Sequence, residues 1–196
     1  MRPRSPYGAA KAAARHLVKV YRDSYNLFAV QGWLFNHEGT RRGEEFVTRK
    51  ITKSVALIKK ALDENRTPPP MHLGNLESKR DWGDSQDFVK AVWLMMQQEK
   101  PIDYVVASGE THSIREFVEG SLISADIPFD AVENTNFFTG DRPAVAYTLK
   151  DKPETPLVYV NPKYFRPAEI QLLLGDPTRI EKELGWTREV SFEKLV

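Results

Sequence analysis

Tyr7 and Lys11 stand four apart near the start of the chain, a spacing that puts both side chains on one face of a helix. An ammonium beside a phenol favours the phenolate, and that is how a tyrosine serves as a general base near neutral pH. Tyr159 and Lys163 share the spacing. Pro162 lies between them in a stretch that reads as strand and turn, so those two side chains need not meet. No metal site is expected. His16, His72 and His112 have no second histidine or clustered carboxylates at ligand spacing and read as structural, and cysteine is absent, which removes thiolate nucleophiles and Cys-ligated zinc or iron–sulfur clusters. Trp82, Trp93, Met95 and Met96 read as core.

The elements that must position the Tyr7–Lys11 pair are legible around it. Ser5 is a good N-cap and Pro6 a good first helical residue, so a helix is predicted from there to about Tyr25, with Asn26 a left-handed stop. Leu27 to Phe35 is apolar enough for a buried strand. Residues 36–45 are polar and glycine-punctuated and read as a loop. From about Glu45 to Leu62 the apolar residues Val47, Ile51, Val55, Ile58 and Leu62 fall at helical spacing, and Pro68, Pro69 and Pro70 end the pattern. Met71 to Leu73 is a short strand. Asp84 and Ser85 can cap a helix carrying Phe88, Val92, Met95 and Met96. A strand over 104–109 is followed by a capping-box pattern from Ser113 to Glu116. Between Glu133 and Pro156 periodicity fades into an expected long loop, then come a brief strand at Val158–Val160 and a helix from Asp176-Pro177 to Gly185. Ser191 opens a further helical turn. Alternation of strand and helix predicts an α/β fold with parallel pairing.

At 196 residues the chain is long enough for one large domain, or one domain with an appendage. Its 28 basic and 27 acidic residues leave a formal charge of +1, so it has no excess positive charge for a phosphate polymer, and nucleic acid is not an expected partner. The apolar runs are far shorter than the roughly 20 residues a membrane span needs. The first residues carry no apolar leader pattern. The expected setting is therefore cytoplasmic.

In order along the chain stand Ser5-Pro6-Tyr7-Gly8-Ala9-Ala10-Lys11, Asn36-His37-Glu38 with Arg41-Arg42-Gly43, 46–51, Leu73-Gly74-Asn75, Arg80-Asp81-Trp82-Gly83 and 164–169. The first block resembles the extended short-chain dehydrogenase/reductases, and the full set resembles their GDP-mannose 4,6-dehydratase family. The resemblance implies the C-terminal part of such an enzyme, in which the end of a Rossmann-type parallel sheet joins a small α/β substrate-binding domain. Residues 1–36 would be the Tyr/Lys helix and its strand, and residues 37–196 mostly the nucleotide-sugar domain, with segments returning to the sheet. The Gly-rich turn of the Rossmann half, for which no G-x-G-x-x-G occurs here, and the family's second base are expected upstream of this sequence.

The implied reaction is conversion of GDP-D-mannose to GDP-4-keto-6-deoxy-D-mannose with NADP as internal hydride carrier, in GDP-fucose or other GDP-deoxyhexose biosynthesis. By resemblance Tyr7 and Lys11 are catalytic, and NADP is held by Tyr7, Lys11, Leu34, His37 and Arg42. The GDP-mannose site is then Asn36, Val47, Lys50, Gly74, Asn75, Arg80, Arg166 and Glu169. These types suit the ligand, because arginine offers forked permanent donors to a diphosphate and one carboxylate can accept from guanine N1–H and its exocyclic amine. Expected partners are a separate N-terminal Rossmann half and, as usual in the family, further copies of the chain. The alternatives are a nucleotide-sugar epimerase fragment and a non-catalytic GDP-sugar-binding or partner-binding module.

Overall fold

A computed structural model describes residue 3 and residues 5–132, 142–165 and 170–196. Helix α1 (Pro6–Tyr25) starts as expected: the Ser5 hydroxyl accepts from the Gly8 N–H at 3.0 Å, and Asn26 closes the helix at φ 49°. Strands β1 (Gly32–Leu34) and β2 (Asn36–Glu38) lead to α2 (Val47–Asp63), β3 (Met71–Leu73), β4 (Lys79–Arg80), β5 (Trp82–Asp84) and α3 (Ser85–Met96). Then come β6 (Tyr104–Val106), β7 (His112–Ser113), α4 (Ile114–Ser124), β8 (Phe129–Ala131), β9 (Ala144–Leu149) and β10 (Lys152–Val160). A 3-10 turn (Pro162–Tyr164), α5 (Thr178–Leu184) and α6 (Phe192–Leu195) complete the order.

Among the described residues three strand pairings are parallel, β1 with β6, β2 with β5 and β3 with β10, and a four-stranded sheet runs β3-β10-β9-β8. Parallel neighbours need long crossovers, here supplied by the helices. Both halves of the capping box at Ser113 and Glu116 form. Ile51, Val55 and Ile58 are buried on α2, and with Trp82, Phe117, Tyr147 and Val158 they build the larger core. A second core joins Phe88, Met95, Tyr104, Val106, Ile180 and Trp186, with Val30 and Phe35 packed against it. Helix α3, β6 and α5 therefore pack with the strand that follows α1.

Five expectations are corrected. The strand expected over 104–109 ends at Val106, because the Ser108 and Gly109 N–H groups turn to the Asp81 carboxylate and Gly109 takes a positive φ of 80°. The strand expected over 27–35 is confined to Gly32–Leu34, because a strand extends only as far as its partner, and β6 is three residues long. The loop expected over 36–45 begins as β2, whose polar residues pair with β5 in the register Asn36↔Trp82, His37↔Gly83. The long loop expected to Pro156 holds β9 and the first part of β10; Pro153 and Pro156 sit where the β10–β9 register shifts, a place where a strand tolerates proline. Its residues 133–141 lie outside the described residues. On α3 the buried face is Phe88, Ala91 and Met95, so Val92, Trp93 and Met96 are exposed rather than core.

Candidate active site

Tyr7 is 72% exposed, and the Lys11 ammonium lies 5.5 Å from its ring centroid, so the helix brings the pair together as the spacing predicts. Two contacts seat α1 on the strand behind it. The Arg15 guanidinium lies 4.7 Å from the Trp33 ring, and Arg22 donates at 2.5 Å to Asp103, which also accepts from the Gln31 N–H at 3.0 Å. Asp103 stands 81 residues from Arg22, beyond the reach of local sequence reasoning.

At the end of β1 Leu34 is exposed. On β2, His37 Nδ1 is 2.9 Å from the Phe35 carbonyl and the ring rests 5.2 Å from that of Phe88. Arg42 lies 3.0 Å from the buried Glu38 carboxylate and 3.6 Å over the Phe46 ring. Burial pushes the Glu38 carboxyl above its ordinary range, with the Thr48 hydroxyl, Arg42 and His37 pulling the other way. Thr48 donates to Glu38 at 2.6 Å, so Glu38 braces β2 against the first turn of α2. It carries no expected role, although it lies inside a quoted block and stands four residues before Arg42.

The expected ligand residues gather further along. Asn36 starts β2 and Val47 starts α2, both half-buried. Lys50 donates to the His72 carbonyl at 2.5 Å, and its ammonium lies 4.1 Å from the Tyr164 ring. Burial holds the Lys50 ammonium below the usual lysine range. Gly74 meets the backbone of the same tyrosine: a Cβ there would stand 2.7 Å from the Tyr164 carbonyl oxygen, so the close approach requires glycine. Buried Asn75 accepts from the Glu77 N–H at 2.9 Å and donates to Gln171 at 3.4 Å. Arg80 donates to the Lys79 carbonyl at 2.8 Å and the Ile170 carbonyl at 2.7 Å. Tyr164 thus joins Lys50 to Gly74, while Ile170 and Gln171 receive Arg80 and Asn75. Arg166 and Glu169 lie outside the described residues. Tyr164 and Gln171 escaped the sequence reading, although Tyr164 lies inside a quoted block.

A groove of about 510 Å³ between α2 and α4, lined by Val55, Ala56, Lys59, Ser121 and Val196 among others, contains none of these residues. Among the described residues no group of three His, Asp or Glu is arranged to hold a metal ion, and no helix is long and apolar enough to cross a membrane.

A family model described as GDP-mannose 4,6 dehydratase matches residues 1–196. The chain belongs to the GDP-mannose 4,6-dehydratase family. Among its relatives, GDP-mannose 4,6 dehydratase of Drosophila melanogaster is 46% identical over 194 residues, covering 99% of this chain and 46% of the relative. The Homo sapiens relative of that name is 45% identical, covering 99% and 49%. The chain spans about half the length of the curated relatives it matches. Two solved structures share the fold: RMD from Pseudomonas aeruginosa complexed with NADPH (TM-score 0.72, 22% identity, 99% of this chain, 54% of that one) and the Thermus thermophilus UDP-glucose 4-epimerase complex with NAD (0.70, 23%, 99%, 52%). The epimerase likeness is one of fold. Membership of the dehydratase family sets the epimerase alternative aside.

Proposed function

We propose that the chain is the sugar-nucleotide part of a GDP-mannose 4,6-dehydratase, converting GDP-D-mannose to GDP-4-keto-6-deoxy-D-mannose. The observation that carries this reading is the family match over all 196 residues. The cofactor is NADP, which when bound supplies a reversible hydride acceptor. The residues fit it: an exposed phenol and ammonium share one face of α1, Leu34 offers apolar surface, and His37 with Arg42 follows on β2 and its loop. Arg42 already faces Glu38, so it offers phosphate a guanidinium whose orientation is set beforehand.

In this reading Tyr7 takes the proton of the sugar C4 hydroxyl, and Lys11 holds the nicotinamide ribose while its charge supports the phenolate. Asn36, Val47, Gly74 and Asn75 shape the sugar-nucleotide cleft. Lys50, Arg80 and Arg166 neutralise the diphosphate, and Glu169 accepts from the guanine N1–H and amine.

A second α/β unit, the family's Rossmann half, completes the site, whether within a longer polypeptide or as a separate chain. Two features favour its seat on α1 and β1. Helix α1 has no buried residue over 20 residues and exposes Leu17, Val20, Tyr21 and Tyr25. Among the described residues β1 pairs only with β6, whereas parallel sheets are covered on both faces and extended at their edges. The family's habit extends this to homo-oligomers, and the setting is cytoplasmic.

Calorimetric titration of GDP, UDP and dTDP into the chain tests the substrate. GDP should bind most tightly, because uracil and thymine do not present two donors to one carboxylate. Equal affinity for the three bases would overturn the guanine assignment of Glu169. A folded chain that binds no nucleotide, alone or with the Rossmann half and NADP, would overturn the reading.

A further inference from the structure

We propose that Asp81 is a positioning residue for Arg80 and acts through the extended stretch formed by residues 170–175; this rests on reading Arg80 as a diphosphate ligand. Asp81 lies between β4 and β5 and is fully buried. A carboxylate in that setting is costly unless its oxygens are hydrogen-bonded. They are, and by backbone: Oδ1 accepts from the Ser108 N–H at 2.7 Å, and Oδ2 from Gly109 at 3.2 Å and Gly175 at 3.1 Å. One side chain therefore fastens β4, the turn after β6 and the far end of the 170–175 stretch to one another.

That stretch lies along β4. The Lys79 N–H donates to the Gln171 carbonyl at 2.8 Å, and Leu173 donates back to Lys79 at 3.2 Å. Its near end receives the Arg80 guanidinium at the Ile170 carbonyl and the Asn75 amide at Gln171. Side chains alternate along an extended stretch, so a slip of one residue would turn Gln171 away and move the carbonyl that Arg80 uses. Gly175 is where such a slip is blocked. It is buried, and a Cβ there would stand 2.2 Å from the Ala107 Cβ and 2.9 Å from a Phe35 ring carbon. Only a bare backbone can come close enough for its N–H to reach Asp81. The Asp81–Gly175 bond thus sets the register of the stretch, and the register sets the direction of Arg80.

The test is calorimetric titration of GDP, UDP and guanosine into the full chain, as wild type, Arg80→Ala, Asp81→Asn and the double variant. Asp81→Asn replaces an acceptor by a donor facing backbone N–H groups. It should weaken GDP and UDP alike by about tenfold, the scale of one charge-assisted hydrogen bond, and leave guanosine unchanged. In the double variant the loss should be no greater than in Arg80→Ala alone, because the two residues act through one contact. Additive losses, or equal weakening of guanosine, would make Asp81 merely structural and overturn the proposal. If wild type does not bind GDP, or Arg80→Ala does not weaken it, the diphosphate reading fails and takes the proposal with it. Should Asp81→Asn not fold, Gly175→Ala disturbs the same register from the opposite side and is judged by the same additivity. Loss of fold in both variants would also overturn the positioning role.

Discussion

Lys50 is held between a carbonyl and an aromatic face, and its lowered proton affinity has a measurable consequence. Only the charged ammonium attracts a diphosphate. Because burial favours the neutral amine, that charge is lost on raising the pH at a lower value than for an ordinary lysine. GDP affinity should therefore decline within the alkaline range below about pH 10.4, the ordinary lysine value, and Lys50→Arg should flatten the decline. A wild-type affinity that stays level across that range would remove Lys50 from the ligand site. Tyr7 makes the complementary prediction for chemistry. With the Rossmann half and NADP supplied, Tyr7→Phe should lower the rate by about 10² to 10⁴, the usual contribution of a positioned acid–base group, with GDP binding unchanged. Unaltered turnover would show that the phenol carries no proton.

Among the elements, α4 and the stretch after α5 hold the loop that follows β6. Ser113 and Glu116 cap α4 reciprocally, and Ser113→Ala should cost about 1 kcal/mol of unfolding free energy, read from chemical denaturation. Glu110, ahead of that cap, accepts from Arg188 at 2.7 Å through Oε2 and lies 3.3 Å from His112, whose ring stacks on Phe192 at 3.7 Å. The Arg188 hydrogen bond holds the Glu110 carboxyl below its ordinary value, with His112 adding to it. A depressed carboxyl contributes stability above its unfolded value and loses it as the pH falls through the folded one. Glu110→Gln should accordingly lower Tm at pH 7, and the gap to wild type should close below about pH 4. A gap that persists in acid would assign the effect to packing.

For the whole molecule, an exposed apolar row on a 20-residue helix is the feature least compatible with an isolated chain. Patches of this kind mark interaction sites. Leu17→Glu combined with Tyr21→Glu should abolish association with the Rossmann half, measured by sedimentation, while the chain's own Tm moves little, because substitutions at exposed positions change stability by about 0.5 kcal/mol or less. Association that survives both charges would place the docking surface elsewhere. GDP binding should be untouched, since Lys50, Gly74, Asn75 and Arg80 make their contacts away from α1.

What the sequence alone determined is what lies within a helical turn or a cap. The Tyr7–Lys11 pair, the Ser5 and Asn26 ends of α1, the buried stripe of α2 and the capping box of α4 are set by neighbours three or four residues apart, and ordered blocks along the chain carried the family. Tertiary structure decided the rest. Polar Asn36-His37-Glu38 became a strand because β5 offered it a parallel edge, and proline-bearing β10 because β3 and β9 flank it. Trp93 turned outward because α3 has only one face against the core. Tyr164 against Lys50 and Gly74, Ile170 against Arg80, and Gly175 against Asp81 join residues about 90 or more positions apart. Each depends on backbone approach and register, and these exist only once the strands have paired, so no local pattern of residue types encodes them.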